Sequence, residues 1–578
     1  MKNTIYPASL LCDFYKVSHK KQYPEKTEVI YSTFTPRSNK YFPEADQVVV
    51  FGIQGFIKKY LIDYFNAHFF SRSKEDVRNE YVRYIKYTLG EQKPDASHIE
   101  NLHDLGYLPI KIKALKEGSK APIKTPVLTM ENTHPDFFWL TNYLETLVSA
   151  EIWQPMTSAT TAYQYRKLLN KYALKTTGST EGVEFQGHDF SARGMVGLDG
   201  GAVSGAGHLL SFTGTDTIPA IAYQEAYYNA NIEDELVGAS ISATEHSVMC
   251  AGTDADTRDE YQMFKRLITE VYPNGFFSVV SDTYDFWAVI GDVLPRLKKE
   301  IMNRDGRVVI RPDSGDPVEI ICGLEIKDYN RDKYATDLEY CIEDMREALV
   351  DTVREETPHG EHGECDAEGI FKYKNKYYKI IVDIDWDRYD KQYYFIEDSR
   401  VALYKEIIPT AEQLGLIESL WDIFGGTISD QGYKILDSHI GAIYGDSITL
   451  ERAHQIVDRL EKKGFASTNI VLGIGSYTYQ YNTRDTLGFA MKATYAVIDG
   501  KEKMLFKDPK TDDGTKRSQR GLVAVIKENG NLKLVDGIDK KTYYSNFIND
   551  DQLEEVFVNG ELTRDQSLAE IRKILEIQ

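Results

Sequence analysis

The residues of this chain that are best suited to chemistry follow directly after short apolar runs. In RVVIRPDSGDP, residues 307–317, three aliphatic side chains are followed without a spacer by Arg311 and, two positions later, by Asp313. An arginine can bind phosphate or carboxylate oxygens through two parallel hydrogen bonds, and an aspartate can accept from hydroxyl groups. Because proline, glycine and aspartate are also turn residues, this stretch alone is equally typical of an ordinary turn after a strand.

The same arrangement recurs along the middle of the chain. Five further apolar runs end in groups that could bind or react, namely Asp216, His246, Asp282, Gly445–Asp446 and Gly475–Ser476. Most of these ends lie roughly 30 residues apart, which is the length of a strand, a helix and a return loop. The recurrence of an arginine, a histidine and several carboxylates at strand ends favours a reaction site over a series of unrelated turns.

The segments between these runs are typical of helices packed on a sheet. In TLERAHQIVDRLEKK, apolar residues recur at steps of three and four, and Thr449 is placed to cap the first turn. Apolar strands alternating with amphipathic helices predict a parallel sheet, and the number of units favours an α/β barrel over residues 151–484. In such barrels the active site lies at the carboxyl ends of the strands.

Three parts of the chain depart from this repeat. The interval between Arg311 and Asp446 is several times longer than one unit, and we predict that residues 321–420 form an α+β insertion within the barrel domain. This segment begins with an amphipathic helix, and the alternation in FKYKNKYYKIIVDIDWDRYDKQYYFI predicts an antiparallel sheet. Residues 1–150 and 485–578 are rich in strand and turn patterns, and we expect them to form a second α+β domain together.

The composition limits the partners that the protein can bind. The 578 residues carry a net charge of −21, which disfavours nucleic acid and anionic membranes at long range. The five cysteines are widely spaced and odd in number, which is typical neither of a disulfide framework nor of a zinc site. With no signal-peptide pattern and no apolar stretch long enough to cross a membrane, we expect a cytoplasmic protein.

The order of several short motifs resembles one enzyme family. GHDFSARG, at residues 187–194, is followed by GLDGGAVSGAGHLLSFTGTDT, EHS, VVSDTYD and IRPDSGDP; outside this series stand DFYKVSHKKQYP, FGIQGF, TRD, FKDP and KRS. The chain resembles the nicotinamide phosphoribosyltransferase family, a group of type II phosphoribosyltransferases, over nearly its whole length apart from residues 321–420. The resemblance implies the α/β barrel of these enzymes, with the second domain and the insertion described above.

The resemblance also implies an activity. Phosphoribose would pass from phosphoribosyl pyrophosphate to the ring nitrogen of nicotinamide, which yields nicotinamide mononucleotide and pyrophosphate for NAD salvage. ATP would phosphorylate His246 in a coupled reaction, and Asp282 would hold the second nitrogen of the imidazole. Mg²⁺ would be held mainly by the pyrophosphate. The protein would be a homodimer whose active sites are shared between subunits.

The family's pattern assigns the remaining substrate-binding residues. Phe190 and, from a second subunit, Tyr15 would clamp the pyridine ring, with Asp13 beside Tyr15. Asp216 would accept from the carboxamide and repel nicotinate, and Ser240 would be a further substrate-binding residue. Asp313 would accept from the ribose hydroxyls, and Arg311 would face the pyridine and the phosphates. The resemblance thus implies four catalytic residues, which are His246, Asp282, Arg311 and Asp313.

The phosphate-binding positions combine arginines, glycine turns and lysines. They are Arg193, Arg311, Arg484, Gly445, Asp446, Gly475, Ser476, Lys492, Lys507 and Lys516, of which Lys507 and Lys516 would come from the partner subunit. The chain departs from the family at Ser476, where glycine is usual and bulky Tyr477 follows, and at Ala490, where serine is usual.

Three alternatives remain open on the sequence. Nicotinate phosphoribosyltransferase shares the architecture and the histidine mechanism. A barrel glycosidase could use Glu245, Asp282 or Asp313 as paired carboxylates, although it would leave the arginines without a role. A non-catalytic nucleotide-binding relative is the third, and the joint presence of His246, Asp282, Arg311 and Asp313 disfavours it.

Overall fold

The computed structural model describes residues 6–356, 362–389, 394–445, 447–507 and 518–576, so Asp446 and Lys516 lie outside the described residues. The chain forms two compact units. The first comprises residues 1–167, 187–240 and 474–578, and the second comprises residues 168–186 and 241–473. Residues 187–240 group with both chain ends here, whereas the sequence pattern placed them with the barrel. Within the described residues, no helix is both long enough and apolar enough to span a membrane.

The first unit is built on a seven-stranded sheet to which both ends of the chain contribute. Its order is Lys501–Met504, Ala490–Ile498, Thr27–Thr35, Leu128–Asn132, Ile110–Ala114, Glu554–Val558 and Glu561–Leu562. Neighbouring strands are antiparallel, and Ile112 lies opposite Met130. Because the inward side chains alternate along each strand, Phe34, Ile112 and Met130 all enter one buried core.

Further elements complete this unit. Two antiparallel pairs join Gln47–Val49 with Lys120–Pro122 and Leu522–Glu528 with Asn531–Ile538. Gly187–Asp189 pairs in parallel with Gly214–Thr215. The helices include Ile53–Phe56, Lys74–Leu89, Ser97–Leu105, Leu140–Tyr143, Glu145–Thr177, Gly197–His208, Ile218–Tyr228, Ser476–Gln480, Lys540–Asn546 and Leu568–Leu575, of which Glu145–Thr177 continues into the second unit.

The second unit contains five adjacent parallel strands. Their order is Ile470–Ile474, Ile440–Tyr444, Val308–Arg311, Phe277–Val280 and Ser242–Ala243. The helices that alternate with them are His246–Gly252, Tyr261–Arg266, Phe286–Ala288, Leu294–Met302, Pro317–Cys322, Leu416–Phe424 and Leu450–Lys462. The predicted α/β class and its parallel strands are therefore confirmed. Thr449 caps the last of these helices by accepting from the Arg452 N–H at 3.2 Å.

The predicted α+β insertion is also confirmed. Its sheet has the order Lys327–Asp328, His362–Tyr373, Lys376–Tyr389 and Tyr394–Ile407, in which the last three strands are antiparallel. The helix Leu338–Glu356 packs Met345 into the same apolar cluster as Phe371 and Ile380. Tyr377 of this sheet donates to Glu418 at 2.8 Å, and Glu418 forms a buried ion pair with Lys463 at 2.9 Å.

Candidate active site

The carboxyl ends of the parallel strands in the second unit carry the predicted catalytic residues. His246 begins the helix after Ser242–Ala243, Asp282 follows Phe277–Val280, and Arg311 is the last residue of its strand. Gly445 follows Ile440–Tyr444 directly. Since these strands are parallel neighbours, their carboxyl ends deliver the side chains to one edge of the sheet.

His246 lies between a carboxylate and a hydroxyl group. Its Nε2 is 3.2 Å from Oδ1 of Asp313, and its Nδ1 is 3.3 Å from Oγ1 of Thr283. Oδ1 of Asp282 is 3.9 Å from Nε2, which is beyond hydrogen-bond distance. The predicted hydrogen bond from Asp282 to the imidazole is thus corrected: Asp313 and Thr283 contact the two ring nitrogens, and Asp282 lies farther away at 3.9 Å. The imidazole itself is 47% exposed and open to a reactant.

Asp282 organises the turn that carries Asp313. Its buried carboxylate accepts from the backbone N–H of Asp313 at 3.0 Å and from that of Ser314 at 2.9 Å, and it also accepts from the Ser314 hydroxyl. All three bonds go to Oδ2, so Oδ1 is the oxygen that lies 3.9 Å from Nε2 of His246. Oδ1 has no hydrogen-bond partner among the described residues, although it is buried. Asp282 therefore presents a carboxylate oxygen to the catalytic group while it fixes the backbone.

Arg311 and Asp313 are packed against the backbone of Gly445. Nη2 of Arg311 is 3.8 Å from Oδ2 of Asp313, so the guanidinium and the carboxylate form an ion pair. The Gly445 N–H donates to the carbonyl of Pro312 at 3.0 Å. A Cβ at position 445 would lie 2.9 Å from Nε of Arg311 and 2.9 Å from Cβ of Asp313, so only glycine fits beside both side chains.

Glu260 is a buried group near this site that the sequence pattern did not reveal. Burial, reinforced by the negative charge of Asp282, raises the pKa of Glu260 to about 7. His246 opposes that rise because a positive imidazole favours the glutamate anion. Thr283 and Ser314 were missed as well, since a single hydroxyl residue in a turn carries no periodic signal.

In the first unit, three of the residues predicted to bind the substrate lie in one group around His188. The Phe190 ring lies 4.5 Å from the His188 ring, measured between centroids. Oδ1 of Asp216 accepts from the Ser240 hydroxyl at 2.6 Å and lies 2.9 Å from Nε2 of His188. Phe190, Asp216 and Ser240 thus form one group with His188, which the sequence analysis did not name.

The arginine turn and a glycine turn also meet in this unit. Arg193 lies in the short helix Ala192–Gly194. A Cβ on Gly194 would lie 2.0 Å from Oγ of Ser476, so the two backbones approach closely. The Phe190 N–H donates to the carbonyl of Ile474 at 3.0 Å. The departure from glycine at Ser476 is therefore accommodated by the glycine at 194.

A pocket of about 240 Å³ in the first unit is lined by Asp13, Tyr15, Glu145, Thr146, Ser149, Ala150, Trp153 and Arg484. Asp13 accepts from the Thr146 hydroxyl at 2.8 Å. Phe190 is not among the residues that line this pocket. Within one chain, the structure thus places Asp13 and Tyr15 beside Arg484, one of the predicted phosphate ligands.

Cations crowd around Glu145 at this pocket. Lys16 forms an ion pair with Glu145, and Nζ of Lys492 lies 3.8 Å from the same carboxylate. Burial lowers the pKa of Lys492, and the positive charges of Arg37, Lys16 and Arg484 lower it further, whereas Glu145 opposes the shift. A cluster with this excess of cations suits an anionic ligand. Lys507 lies apart on an exposed segment, where its N–H donates to Ser518 at 3.0 Å.

The chemistry of the second unit's donor set suits a hard cation. His246, Asp282 and Asp313 each offer a ligand atom, and these atoms lie within 4.8 Å of one another. Carboxylate oxygens are the ligands that Mg²⁺ prefers, and two of the three groups are carboxylates. They could bind Mg²⁺ alongside phosphate oxygens.

Comparison with known proteins gives consistent matches. The family described as nicotinate phosphoribosyltransferase (NAPRTase) matches residues 185–344 and 398–561. The N-terminal domain of nicotinamide phosphoribosyltransferase matches residues 8–112. The nicotinamide phosphoribosyltransferase of Acinetobacter baylyi is 44% identical over 98% of this chain and 96% of its own length. That of Mycoplasma pneumoniae is 30% identical over 90% of this chain and 96% of its own.

Proposed function

Since the chain belongs to the nicotinamide phosphoribosyltransferase family, we propose that it transfers phosphoribose from phosphoribosyl pyrophosphate to nicotinamide, which yields nicotinamide mononucleotide and pyrophosphate for NAD salvage. The observation that carries this proposal is the group at the strand ends of the second unit, where His246, Asp313 and Arg311 are held together by Asp282 and Gly445. Membership of this family argues against the glycosidase alternative.

The proposed reaction separates a ribose carbon that becomes positive from a pyrophosphate that leaves as an anion. Arg311 is suited to the anion, because a guanidinium donates two parallel hydrogen bonds to phosphate oxygens. The carboxylate of Asp313 is suited to the ribose hydroxyls, since an ionised carboxylate is an acceptor only. Mg²⁺, when bound with the pyrophosphate, neutralises the leaving group, and Asp282 and Asp313 would hold it on the protein side.

Base recognition is assigned to the first unit. Phe190 offers an aromatic face to the pyridine ring, and Asp216 offers an acceptor to the amide N–H₂. The same carboxylate would repel nicotinate, and in a desolvated pocket this repulsion is worth several kcal/mol. The second candidate is nicotinate phosphoribosyltransferase, because the family that matches the larger part of the chain carries that description.

One experiment decides between these bases and tests the whole proposal. The protein is incubated with phosphoribosyl pyrophosphate, Mg²⁺ and either nicotinamide or nicotinate, and the mononucleotide is identified by mass. We expect nicotinamide mononucleotide as the main product, and Asp216→Asn should shift the preference toward nicotinate. The absence of any mononucleotide would favour a non-catalytic nucleotide-binding relative and contradict the proposal.

We extend the proposal to ATP, which would phosphorylate His246. One imidazole nitrogen would attack the γ-phosphorus, ADP would leave, and water would later hydrolyse the phosphohistidine. The exposure of the ring and the neighbouring Asp313 carboxylate, which stabilises an imidazolium, support this step. His134 is a matched control because its exposure of 45% is close to the 47% of His246. Label from γ-labelled ATP should persist in His134→Asn and disappear in His246→Asn.

We also propose a homodimer in which Tyr15 and Asp13 serve the partner's base site. The supporting observation is that Tyr15 lines a pocket with Arg484 from which Phe190 is absent. Tyr15→Ala and Phe190→Ala should each be inactive alone. If sites are shared, mixing the two variants as refolded dimers restores roughly a quarter of the activity, because half of the dimers are mixed and each has one intact site. No recovery in demonstrably mixed dimers would contradict the shared site. The cytoplasmic location stays a prediction.

A further inference from the structure

In the first unit, His188 contacts both residues that are assigned to the base. Its Nε2 lies 2.9 Å from Oδ1 of Asp216, and its ring lies 4.5 Å from the Phe190 ring. An ionised carboxylate can only accept, so the imidazole N–H donates to Asp216. The His188 side chain is 11% exposed and that of Asp216 is 44% exposed. A nearly buried imidazole thus holds a carboxylate that remains accessible.

Gly214 lies against the other side of the His188 imidazole. The two residues are partners in the parallel strand pair Gly187–Asp189 with Gly214–Thr215. A Cβ on Gly214 would lie 2.8 Å from Nδ1 of His188, which is closer than such contacts allow. The glycine therefore leaves the space that the imidazole fills. The ring is confined between this backbone, Phe190 and Asp216.

Ser240 donates to the same oxygen of Asp216 as His188 does. The Ser240 hydroxyl lies 2.6 Å from Oδ1, the oxygen that Nε2 of His188 contacts at 2.9 Å. Two donors on one oxygen restrict rotation of the carboxylate about its Cβ–Cγ bond. The direction of Oδ2 is thereby set by the protein before a ligand arrives, and a hydrogen bond weakens steeply when its angle departs from linear.

We propose that His188 is a positioning residue for Asp216, and that it thereby sets the preference of the base site for a pyridine carboxamide over a pyridine carboxylate. This inference rests on the proposed function, since it requires that Asp216 receives the amide. His188 acts through the carboxylate of Asp216, which its Nε2 contacts at 2.9 Å.

Two variants separate the hydrogen bond of His188 from its ring contact. His188→Gln keeps a donor near the position of Nε2 but removes the ring, whereas His188→Phe keeps a ring beside Phe190 but removes the donor. The values of kcat and KM are measured for nicotinamide and for nicotinate at saturating phosphoribosyl pyrophosphate. Both variants also need a thermal unfolding curve, because the position is nearly buried.

We expect His188→Phe to lower kcat/KM for nicotinamide about tenfold or more, since one hydrogen bond to a charged group is lost. Most of the loss should appear as a higher KM, and kcat/KM for nicotinate should change little. His188→Gln should stay within about threefold of the unchanged protein for both bases. Equal losses in the two variants would mean that the hydrogen bond alone does not set the preference, and this result would overturn the inference. An unchanged preference in His188→Phe would overturn it as well.

A double-mutant cycle tests whether His188 acts through Asp216. In an Asp216→Asn background, His188→Phe should no longer alter the ratio of the two bases. A persisting effect there would overturn the inference. If His188→Phe does not fold, His188→Gln and His188→Asn form the deciding pair, because the shorter amide cannot reach Oδ1 and should alone lose the preference.

The outcomes also separate this inference from the proposed function. An unchanged protein that converts neither base contradicts the proposed function itself. If it converts nicotinamide and its preference survives in His188→Phe, only the role of His188 is contradicted.

Discussion

Replacing Gly445 by alanine should disable the catalytic group of the second unit and leave its fold intact. The added Cβ would lie 2.9 Å from Cβ of Asp313 and 2.9 Å from Nε of Arg311. Carbon atoms in contact stand about 3.5–4.0 Å apart, so a displacement of roughly 0.5–1 Å is required. The guanidinium can swing aside, but Cβ of Asp313 moves only with its backbone, whose N–H is held by Asp282 at 3.0 Å.

The expected loss follows from this displacement. Misplacing a reacting group by about 1 Å costs on the order of 100-fold in rate, so kcat/KM for phosphoribosyl pyrophosphate should fall by about that factor. Gly445 is not among the residues with positive φ, so its backbone is compatible with alanine. The cost in the free energy of unfolding should then be that of overpacking, about 1–3 kcal/mol.

Gly291 supplies the matched control for this variant. It lies in the helical segment Val289–Val293, and nothing lies within 4 Å of a Cβ added to it. Mononucleotide formation is measured with saturating nicotinamide and varied phosphoribosyl pyrophosphate, together with thermal unfolding of both variants. Gly291→Ala should keep full activity. A folded Gly445→Ala protein whose kcat/KM stays within about threefold would refute the placement of Arg311 and Asp313 beside the reacting atoms.

Three further predictions concern stability. Asp282→Ala leaves two backbone N–H groups and one hydroxyl without an acceptor, and denaturant titration should show that the free energy of unfolding falls by roughly 1–3 kcal/mol for each. Asp282→Asn keeps an acceptor oxygen and should lose clearly less. Equal losses in the two variants would argue against the acceptor role. The pKa of Glu260 is raised to about 7, so folding favours its protonated form, and the free energy of unfolding of the wild type should fall as the pH rises from about 4.5 to 7. Glu260→Gln should flatten this part of the plot of unfolding free energy against pH. An unaltered slope in this variant would contradict the raised pKa. Lys463→Met breaks a buried ion pair and should lower the free energy of unfolding by about 3–5 kcal/mol in the same titration. Lys462→Met, at an exposed site, should lower it by about 0.5 kcal/mol or less.

The strand ends could be predicted because they repeat. Apolar runs that stop at Asp216, His246, Asp282 and Arg311 mark the carboxyl ends of parallel strands, and the structure ends its strands beside each of them. The insertion could be predicted for the same reason, since its helix has a period near four and its strands a period of two. Periodicity reports burial on one face, and burial is what fixes these elements.

The contacts inside the site could not be predicted in this way. Oδ2 of Asp282 accepts from the backbone of the Asp313 turn, and Oγ1 of Thr283 contacts Nδ1 of His246. Which atoms pair in this way depends on distances of a few tenths of an ångström. His188 stands two residues before Phe190 in GHDF, and nothing in its spacing distinguishes a positioning histidine from a core histidine. The grouping of residues 187–240 with the chain ends likewise depends on contacts between distant segments.

Three glycines show how the site residues obtain their fixed places. A Cβ at Gly194, Gly214 or Gly445 would lie within 3.0 Å of a polar side chain that is assigned to binding or catalysis, or that positions one. Close approach also occurs at glycines outside the site, such as Gly252, where a Cβ would lie 2.2 Å from the sulfur of Met263, whereas Gly291 has open space. A backbone without a side chain lets a strand end or turn lie directly against an imidazole, a hydroxyl or a guanidinium, which confines that group without using a hydrogen bond. The preorganisation of the site therefore depends on these missing side chains as well as on the catalytic residues.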